Sequence, residues 1–186
     1  MAKSSAKSSK TKPSKAPAPT RAAAAPGARN VDIGIDDADR KAIAEGLSRF
    51  LSDAFTLYLK THNFHWNVTG PMFNSLHTMF EAQYTEQWNA LDELAERIRA
   101  LGYNAPGSYA EFIRLASIQE EPGLTDTLDW QEMVRQLVVG NEAVCRTARE
   151  VLDIADDGDD APTEDLMTRR LDTHEKYAWM LRSLLE

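Results

Sequence analysis

The sequence is poor in cysteine, in long apolar runs and, over its first 30 residues, in acidic side chains. One of its 186 residues is cysteine, Cys145, which excludes an internal disulfide and fits a reducing compartment. No apolar run approaches the roughly 18 residues that a membrane span requires, so we expect no membrane segment. The four alanines at 22–25 are too short to be the apolar core of a secretory signal.

Acidic residues are missing from one part of the chain only. Residues 1–30 carry seven basic side chains and no acid, whereas the rest of the chain carries 14 basic and 29 acidic side chains. The net charge of −8 therefore divides into +7 and −15. A basic arm joined to an acidic body predicts two kinds of partner, a polyanion for the arm and cations for the body.

Residues 1–34 are predicted to form a disordered basic arm. Lys, Ser, Ala and Pro dominate its first 30 residues, and no large apolar residue after Met1 can offset the entropy of the chain. Its prolines argue against the amphipathic helix of a transit peptide. A solubilising tail is the alternative to an arm whose spaced cations displace counterions from DNA without reading its sequence. The candidate DNA-binding residues are Lys3, Lys7, Lys10, Lys12, Lys15 and Arg21.

Residues 35–186 are predicted to form one all-α domain. Apolar residues recur at helical spacing, and no alternating strand pattern competes. Four long helices with a short one between the second and third describe a four-helix bundle with one long crossover. The first helix is predicted to end near Trp66, and the second to run from Ser75 to about Leu101, with Asn74 as its cap and Gly102 at its end. A short helix is predicted at 108–116, where Ser108 and Glu111 form its capping box. The third long helix is predicted to run from the Asp129 cap to about Ala155, and the last helix to end at about Leu185.

The second of these helices carries four potential metal ligands on one stripe. With 100° per residue and His77 at zero, Glu81 lies at about 40°, Asp92 at about 60° and Glu96 at about 100°. This stripe borders a packing face. The packing face consists of Phe80, Tyr84, Leu91, Ala95 and Ile98, and the opposite side, which we expect to be solvated, carries Glu86, Glu93 and Arg97.

The four ligands are arranged symmetrically about the middle of the helix, between residues 86 and 87. The first and last are about 28 Å apart, too far to share a metal ion. Two antiparallel copies that cross at this middle would bring each His77/Glu81 pair onto the Asp92/Glu96 pair of the other copy, as a two-fold contact requires. The spacing predicts two identical sites per dimer. The alternative is a set of ordinary surface residues four apart.

His65 is a further candidate ligand, because the turn NVTGPMFN brings the end of the first helix back towards His77. A mixed imidazole and carboxylate shell suits Fe(II) and leaves positions open for an oxidant, while zinc remains possible on ligand type. We expect His62 to be a helix-end or surface histidine. We expect His174, which lacks the second histidine of a zinc protease motif, to have a surface or packing role.

The motifs HWNVTGPMFNSLHTMFEAQ, LDELAER and KYAWML resemble those of the Dps family, the mini-ferritins also called DNA-binding proteins from starved cells. The resemblance covers residues from about 35 to 186 and implies a ferritin-like bundle. It implies a ferroxidase centre of His65, His77 and Glu81 from one subunit with Asp92 and Glu96 from its dimer partner. The family usually has Asp where this chain has Glu81, whose longer side chain would alter the metal position.

The resemblance also implies a homo-oligomer, a hollow dodecamer built from two-fold dimers. Such a cage oxidises Fe(II), preferably with hydrogen peroxide, stores the ferric product and protects DNA in the cytoplasm, associated with the nucleoid. Trp66 and Trp179 would be redox-active neighbours, with core filling as their alternative. Asp156, Asp160 and Glu164 would line a pore that attracts cations, with a solvated acidic loop as the alternative.

Two other functions compete with this one. A conventional ferritin holds its di-iron site within one subunit on Glu-x-x-His pairs, but no histidine here has a glutamate three residues before it. An architectural nucleoid protein, whose helical body only oligomerises, would need the arm but not the four ligands on one helix.

Overall fold

The computed structural model describes residues 31–120 and 128–186, and these contain helices and no strand. Helices α1 and α2 form one antiparallel hairpin, α4 and α5 form a second, and α1 packs on α4 to join them. A long crossover between α2 and α4 carries α3, which lies on α1. This is the predicted four-helix bundle. The helices are α1 (Asp37–Asn67), α2 (Phe73–Ala100), α3 (Tyr109–Leu115), α4 (Trp130–Asp157) and α5 (Ala161–Arg182).

The core forms on one stripe of each long helix. On α1, Ile43, Leu47, Phe50 and Leu57 recur at helical spacing and are fully buried, as predicted. Helix α4 comes very close to α1 at Gly140, where an added Cβ would lie 2.7 Å from the Cδ1 of Leu57. Only glycine permits this approach, so the two helices that join the hairpins are tightly packed.

The ends of α2 differ in how well the sequence predicts them. Gly102 has a φ of +96° and ends the helix as expected, while the buried Arg40 donates to the Leu101 carbonyl at 2.8 Å. The predicted Asn74 cap is wrong, because α2 already begins at Phe73. The Phe73 N–H bonds to the carbonyl of Gly70, whose φ of +95° turns the chain into the helix early.

A buried carboxylate on α1 helps to attach the crossover to the bundle. Asp53 of α1 accepts hydrogen bonds from the backbone N–H groups of Ser117 and Ile118, at 2.6 and 3.1 Å. It also accepts from the hydroxyls of Ser117 and of Thr147 on α4, at 2.9 and 2.6 Å. Four hydrogen bonds to this one carboxylate join α1, α4 and the crossover.

The predicted capping residues of α3 and α4 are confirmed. Ser108 and Glu111 form a reciprocal capping box at α3. Asp129 caps α4 by accepting from the Gln131 N–H at 2.8 Å.

The side of α2 predicted to be solvated forms ion pairs with α5 and its N-terminal cap, although Glu93 is exposed as predicted. Glu86 pairs with Arg170, Glu93 pairs with Arg169, and Arg97 pairs with Asp160 at 2.5 Å. Periodicity alone assigned the charged side to solvent, but these charges have partners more than 60 residues away. The free side of α2 is therefore the stripe that carries Glu81, Asp92 and Glu96, all of which are exposed.

His174 has the packing role expected of it. Its ring is buried between Asn141, which is 2.9 Å from Nδ1, and Arg170, which is 3.2 Å from Nε2. Because a guanidinium can only donate, Nε2 is the acceptor and Nδ1 carries the hydrogen. Burial, with a smaller contribution from the Arg170 charge, lowers the pKa of His174 from 6.5 to about 3.

Stability is expected to fall as the pH drops from 6.5 towards 5. The pKa of His174 in the folded chain lies below its value in the unfolded chain. In this pH range the unfolded chain therefore binds a proton at His174 and the folded chain does not, which favours unfolding. Melting temperatures at fixed protein concentration should show a smaller dependence on pH in this window for His174→Gln than for the wild type. The control Thr173→Ala, which changes a partly exposed neighbour that does not titrate, should keep the wild-type slope. Equal slopes in all three proteins would contradict the burial of a neutral His174.

None of the helices within residues 31–120 and 128–186 combines the length and apolarity that crossing a membrane requires.

Candidate metal centre

His65 and His77 are brought together by the turn between α1 and α2. His65 lies in the last turn of α1 and is 8% exposed, and His77 lies in the second turn of α2. Their rings stack with centroids 3.8 Å apart and planes 19° apart. The predicted proximity of these two histidines is therefore present within one chain.

Each of the two imidazoles bonds to the backbone of the other residue. Nδ1 of His65 is 2.9 Å from the carbonyl oxygen of His77, and Nδ1 of His77 is 2.9 Å from the carbonyl oxygen of His65. A carbonyl only accepts, so Nδ1 carries the hydrogen in both rings. Both Nε2 atoms then keep a lone pair in the neutral rings, which is the arrangement that backbone carbonyls impose on metal-binding histidines.

The acidic candidates lie along the exposed stripe of α2. Glu81 follows His77 by one turn, so the two share a face. Asp92 and Glu96 also lie one turn apart, but they begin about 16 Å farther along the axis. Within the described parts of the chain, no three His, Cys, Asp or Glu side chains converge closely enough to hold a metal ion. One chain therefore presents two separated partial ligand sets.

A large aromatic side chain occupies the stripe between these partial sets. Trp88 is 56% exposed and packs one edge of its surface on Tyr58 of α1, with ring centroids 5.3 Å apart. An exposed tryptophan on a free helix face is typical of a protein interface, where aromatic residues are enriched.

Aromatic residues next to the histidine pair form a cluster that the sequence analysis did not find. The His62 ring stacks on Tyr84 with centroids 3.9 Å apart and contacts Trp66 in a tilted arrangement with centroids 4.1 Å apart. Its Nδ1 is 3.2 Å from the hydroxyl of Tyr58. Burial and the neighbouring His65 lower the pKa of His62, which favours the neutral ring. The spacing of Tyr58 and His62, four residues apart, is the signal that could have indicated this contact.

The two tryptophans predicted as redox neighbours lie on the surface of the single chain. Trp66 is 62% exposed and Trp179 is 60% exposed, so neither fills the core of this bundle. Trp66 lies directly beside His65 in sequence and contacts His62, whereas no contact connects Trp179 to the histidine pair in the described residues.

The three predicted pore residues have different environments. Asp156 is exposed and Glu164 is half-buried. Asp160 is fully buried, accepts a hydrogen bond from the Thr163 hydroxyl at 2.6 Å and pairs with Arg97. Asp160 therefore caps α5, because its side chain also accepts from the Thr163 N–H. Its charge is paired and removed from solvent. The predicted DNA-binding residues of the arm lie outside the described residues.

Known proteins match this chain over most of its length. A family model described as a ferritin-like domain matches residues 44–186. The DNA protection during starvation protein 2 of Bacillus anthracis is 37% identical over 145 residues, which are 78% of this chain and 97% of that protein.

Solved structures match the bundle as well. The Dps protein of Vibrio cholerae O1, described as a member of a broad superfamily of ferritin-like diiron-carboxylate proteins, has a TM-score of 0.79 at 31% identity and covers 88% of this chain and 100% of that chain. A Dps protein from Bacillus brevis has a TM-score of 0.75 at 36% identity and covers 80% of this chain and 98% of that chain.

Proposed function

The chain belongs to the Dps family of ferritin-like proteins, and from this premise we propose that it oxidises Fe(II) at a centre shared by two chains, stores the ferric product and protects DNA. The observation that carries the proposal is the reciprocal bonding of His65 and His77, which leaves both Nε2 atoms free to bind a metal ion.

Two chains complete the centre in this proposal. An antiparallel crossing of two α2 helices at residues 86–87 places Asp92 and Glu96 of the partner subunit against His65, His77 and Glu81. The exposed Trp88 lies next to the crossing point and would be buried there. The exposure of Glu81, Asp92 and Glu96 in the single chain supports this arrangement, because ligands contributed to a shared site must be free in each subunit.

The ligand types suit iron that changes its oxidation state. Imidazoles bind Fe(II), and carboxylates stabilise the higher charge of Fe(III). Two Fe(II) ions give two electrons to one hydrogen peroxide, which becomes two hydroxide ions. Peroxide is then consumed without releasing a hydroxyl radical. Glu81 reaches about one methylene farther than the aspartate usual in the family, so we expect a displaced iron position relative to those proteins.

A store for ferric product requires a closed oligomer, and we propose a dodecamer built from two-fold dimers. Asp156 and Glu164 remain candidates for a cation-attracting entrance near the turn between α4 and α5, whereas Asp160 does not, because its charge is paired. The strongly acidic body of the chain supports cation uptake, and the basic arm supports DNA binding and association with the nucleoid.

Anaerobic titration with Fe(II), followed by a pulse of peroxide, tests the iron chemistry. We expect saturable Fe(II) binding before oxidation, with two equivalent centres per dimer, and rapid Fe(III) formation when peroxide is added. The native particle should elute as a dodecamer that retains the oxidised iron. Fe(II) that is oxidised no faster than in buffer, in a particle that still binds DNA, would instead favour an architectural nucleoid protein.

Removal of residues 1–29 is expected to weaken DNA binding and to flatten its dependence on salt. The removed segment carries seven basic side chains and no acidic one, and each phosphate contact adds to the salt slope by counterion release. Gel shifts across a series of salt concentrations, comparing the full chain with one that starts at Asn30, measure both effects. Several arms per oligomer act together, so the loss should be large even though each arm binds weakly. An unchanged slope would exclude the arm as the binding element.

A further inference from the structure

Two glutamines lie inside the bundle without hydrogen-bond partners in the described protein. Gln83 and Gln87 are one turn apart on the inner side of α2, and each is 2% exposed. The amide nitrogen and oxygen of both side chains are buried and form no hydrogen bond with any described residue. Leaving four such atoms unpaired would cost a substantial part of the net stability of a domain, so a partner is required.

Gln83 and Gln87 flank Glu86 on α2, and Glu86 belongs to a polar layer that joins α2, α5 and α4. Glu86 accepts two hydrogen bonds from Arg170 of α5. Arg170 also donates to His174, which bonds to Asn141 of α4. The Nε of Arg170 is buried and, within the described residues, unpaired like the two amides. The described residues contain six buried side-chain nitrogen or oxygen atoms without a hydrogen-bond partner, and five of these six belong to α2 or α5.

We propose that Gln83 and Gln87 hold ordered water molecules inside the bundle, bridged to Nε of Arg170. An amide offers both donors and an acceptor, and the guanidinium offers a donor. Water can satisfy both kinds of group at once, and buried water in proteins typically makes about three such bonds. The layer reaches the surface through Glu86, whose side chain is 36% exposed, so these water molecules can exchange with solvent.

The charges in the layer favour a neutral occupant over an ion. Arg170 and Glu86 neutralise each other, and His174 is held neutral by its burial, with a pKa of about 3. A cation would find only amide oxygens beside a guanidinium, and an anion would lie beside a carboxylate. Neither ion has a group of opposite charge left to pair with.

High-resolution crystallography of the full chain in its native oligomer tests the occupant directly. We expect density for water within hydrogen-bond distance of both amides. Crystals soaked in rubidium or bromide should show no anomalous signal there. Amides that bond directly to protein groups, or an anomalous peak of either ion at the site, would overturn the proposal.

Substitution by methionine tests the same layer in solution. Gln83→Met and Gln87→Met keep the side-chain length but remove the hydrogen bonds, and each is expected to lower the melting temperature by about 2–4 °C. The double variant should lose less than the sum, because it removes both ends of one water network. Gln136→Met on α4, whose amide bonds to Glu132 near the surface, is the control and should cause a smaller change. A rise in melting temperature in the single variants would indicate a dry core and contradict the proposal.

Discussion

Mixing the His77→Ala and Asp92→Ala variants is expected to restore Fe(II) oxidation that neither variant has alone. Each single variant removes one ligand from both centres of its dimer, and we expect more than about a hundred-fold loss of rate, since even residues outside the ligand set cost 10–100-fold. In a mixed dimer one centre lacks both residues, and the other combines the intact His77 of one chain with the intact Asp92 of the other. Random reassembly of equal amounts makes half of the dimers mixed, so about a quarter of the wild-type rate should return.

The matched control is a mixture of His77→Ala with Glu81→Ala. Both residues belong to the same partial ligand set, so every centre in every mixed dimer lacks one of them. Rates should be measured with peroxide after joint unfolding and refolding of the two variants, with each variant refolded alone as the reference. Failure of both mixtures to regain activity would mean that the centre is not divided between chains, because every chain would then carry a defective centre of its own. Restoration in both mixtures would mean that His77 and Glu81 do not belong to the same partial ligand set. Full activity of His77→Ala alone would remove the histidine pair from the chemistry altogether.

Replacing Asp53 with alanine is expected to cause the largest loss of stability of any single change considered for the bundle. The carboxylate is 1% exposed, and its removal leaves two backbone N–H groups and two hydroxyls without their acceptor. We expect a loss of roughly 3–5 kcal/mol, because an orphaned buried donor costs about 1–3 kcal/mol. The exposed Ser117 can turn towards water and the Thr147 hydroxyl keeps the Ala143 carbonyl as an acceptor, which limits the loss. The melting temperature at fixed protein concentration, followed by circular dichroism, measures the effect.

The Asp53→Ala substitution should loosen the crossover before it unfolds the whole bundle. Ser117 and Ile118 lie in the crossover that carries α3, so hydrogen exchange at their amides should speed up in Asp53→Ala while the amides in the middle of α1 stay protected. Asp153→Ala, which removes an exposed carboxylate from α4, is the control for the change in net charge. A melting temperature equal to that of this control would show that Asp53 does not hold the crossover.

Much of the fold could be predicted because it depends on neighbours along the chain. The apolar stripe of α1, the capping box of α3 and the end of α2 at Gly102 are each determined within one or two helical turns. The early start of α2 was missed because Gly70, three residues before the helix, controls it through its backbone angle and not through a capping side chain.

The ligand stripe on α2 was predictable for the same reason, since its angles follow from 3.6 residues per turn. The environment of the other polar residues could not be predicted in this way. The proline at the start of α5 marks Asp160 as a possible helix cap, but its burial against Arg97 depends on a residue 63 positions away. Likewise, Gln83 and Gln87 look like ordinary polar residues in the sequence and are among the most deeply buried polar side chains of α2.

The sequence by itself determined the helices, the caps of α3 and α4, the basic arm with its acidic body and the mirrored spacing of His77, Glu81, Asp92 and Glu96. Only the tertiary structure decided that Glu86, Glu93 and Arg97 form ion pairs with α5 and its N-terminal cap, and that His65 and His77 bond to each other's carbonyls. The reason is the range of the interactions. Helical geometry arises from hydrogen bonds four residues apart, whereas the burial of a charge or the tautomer of a ring depends on groups that folding brings from elsewhere in the chain.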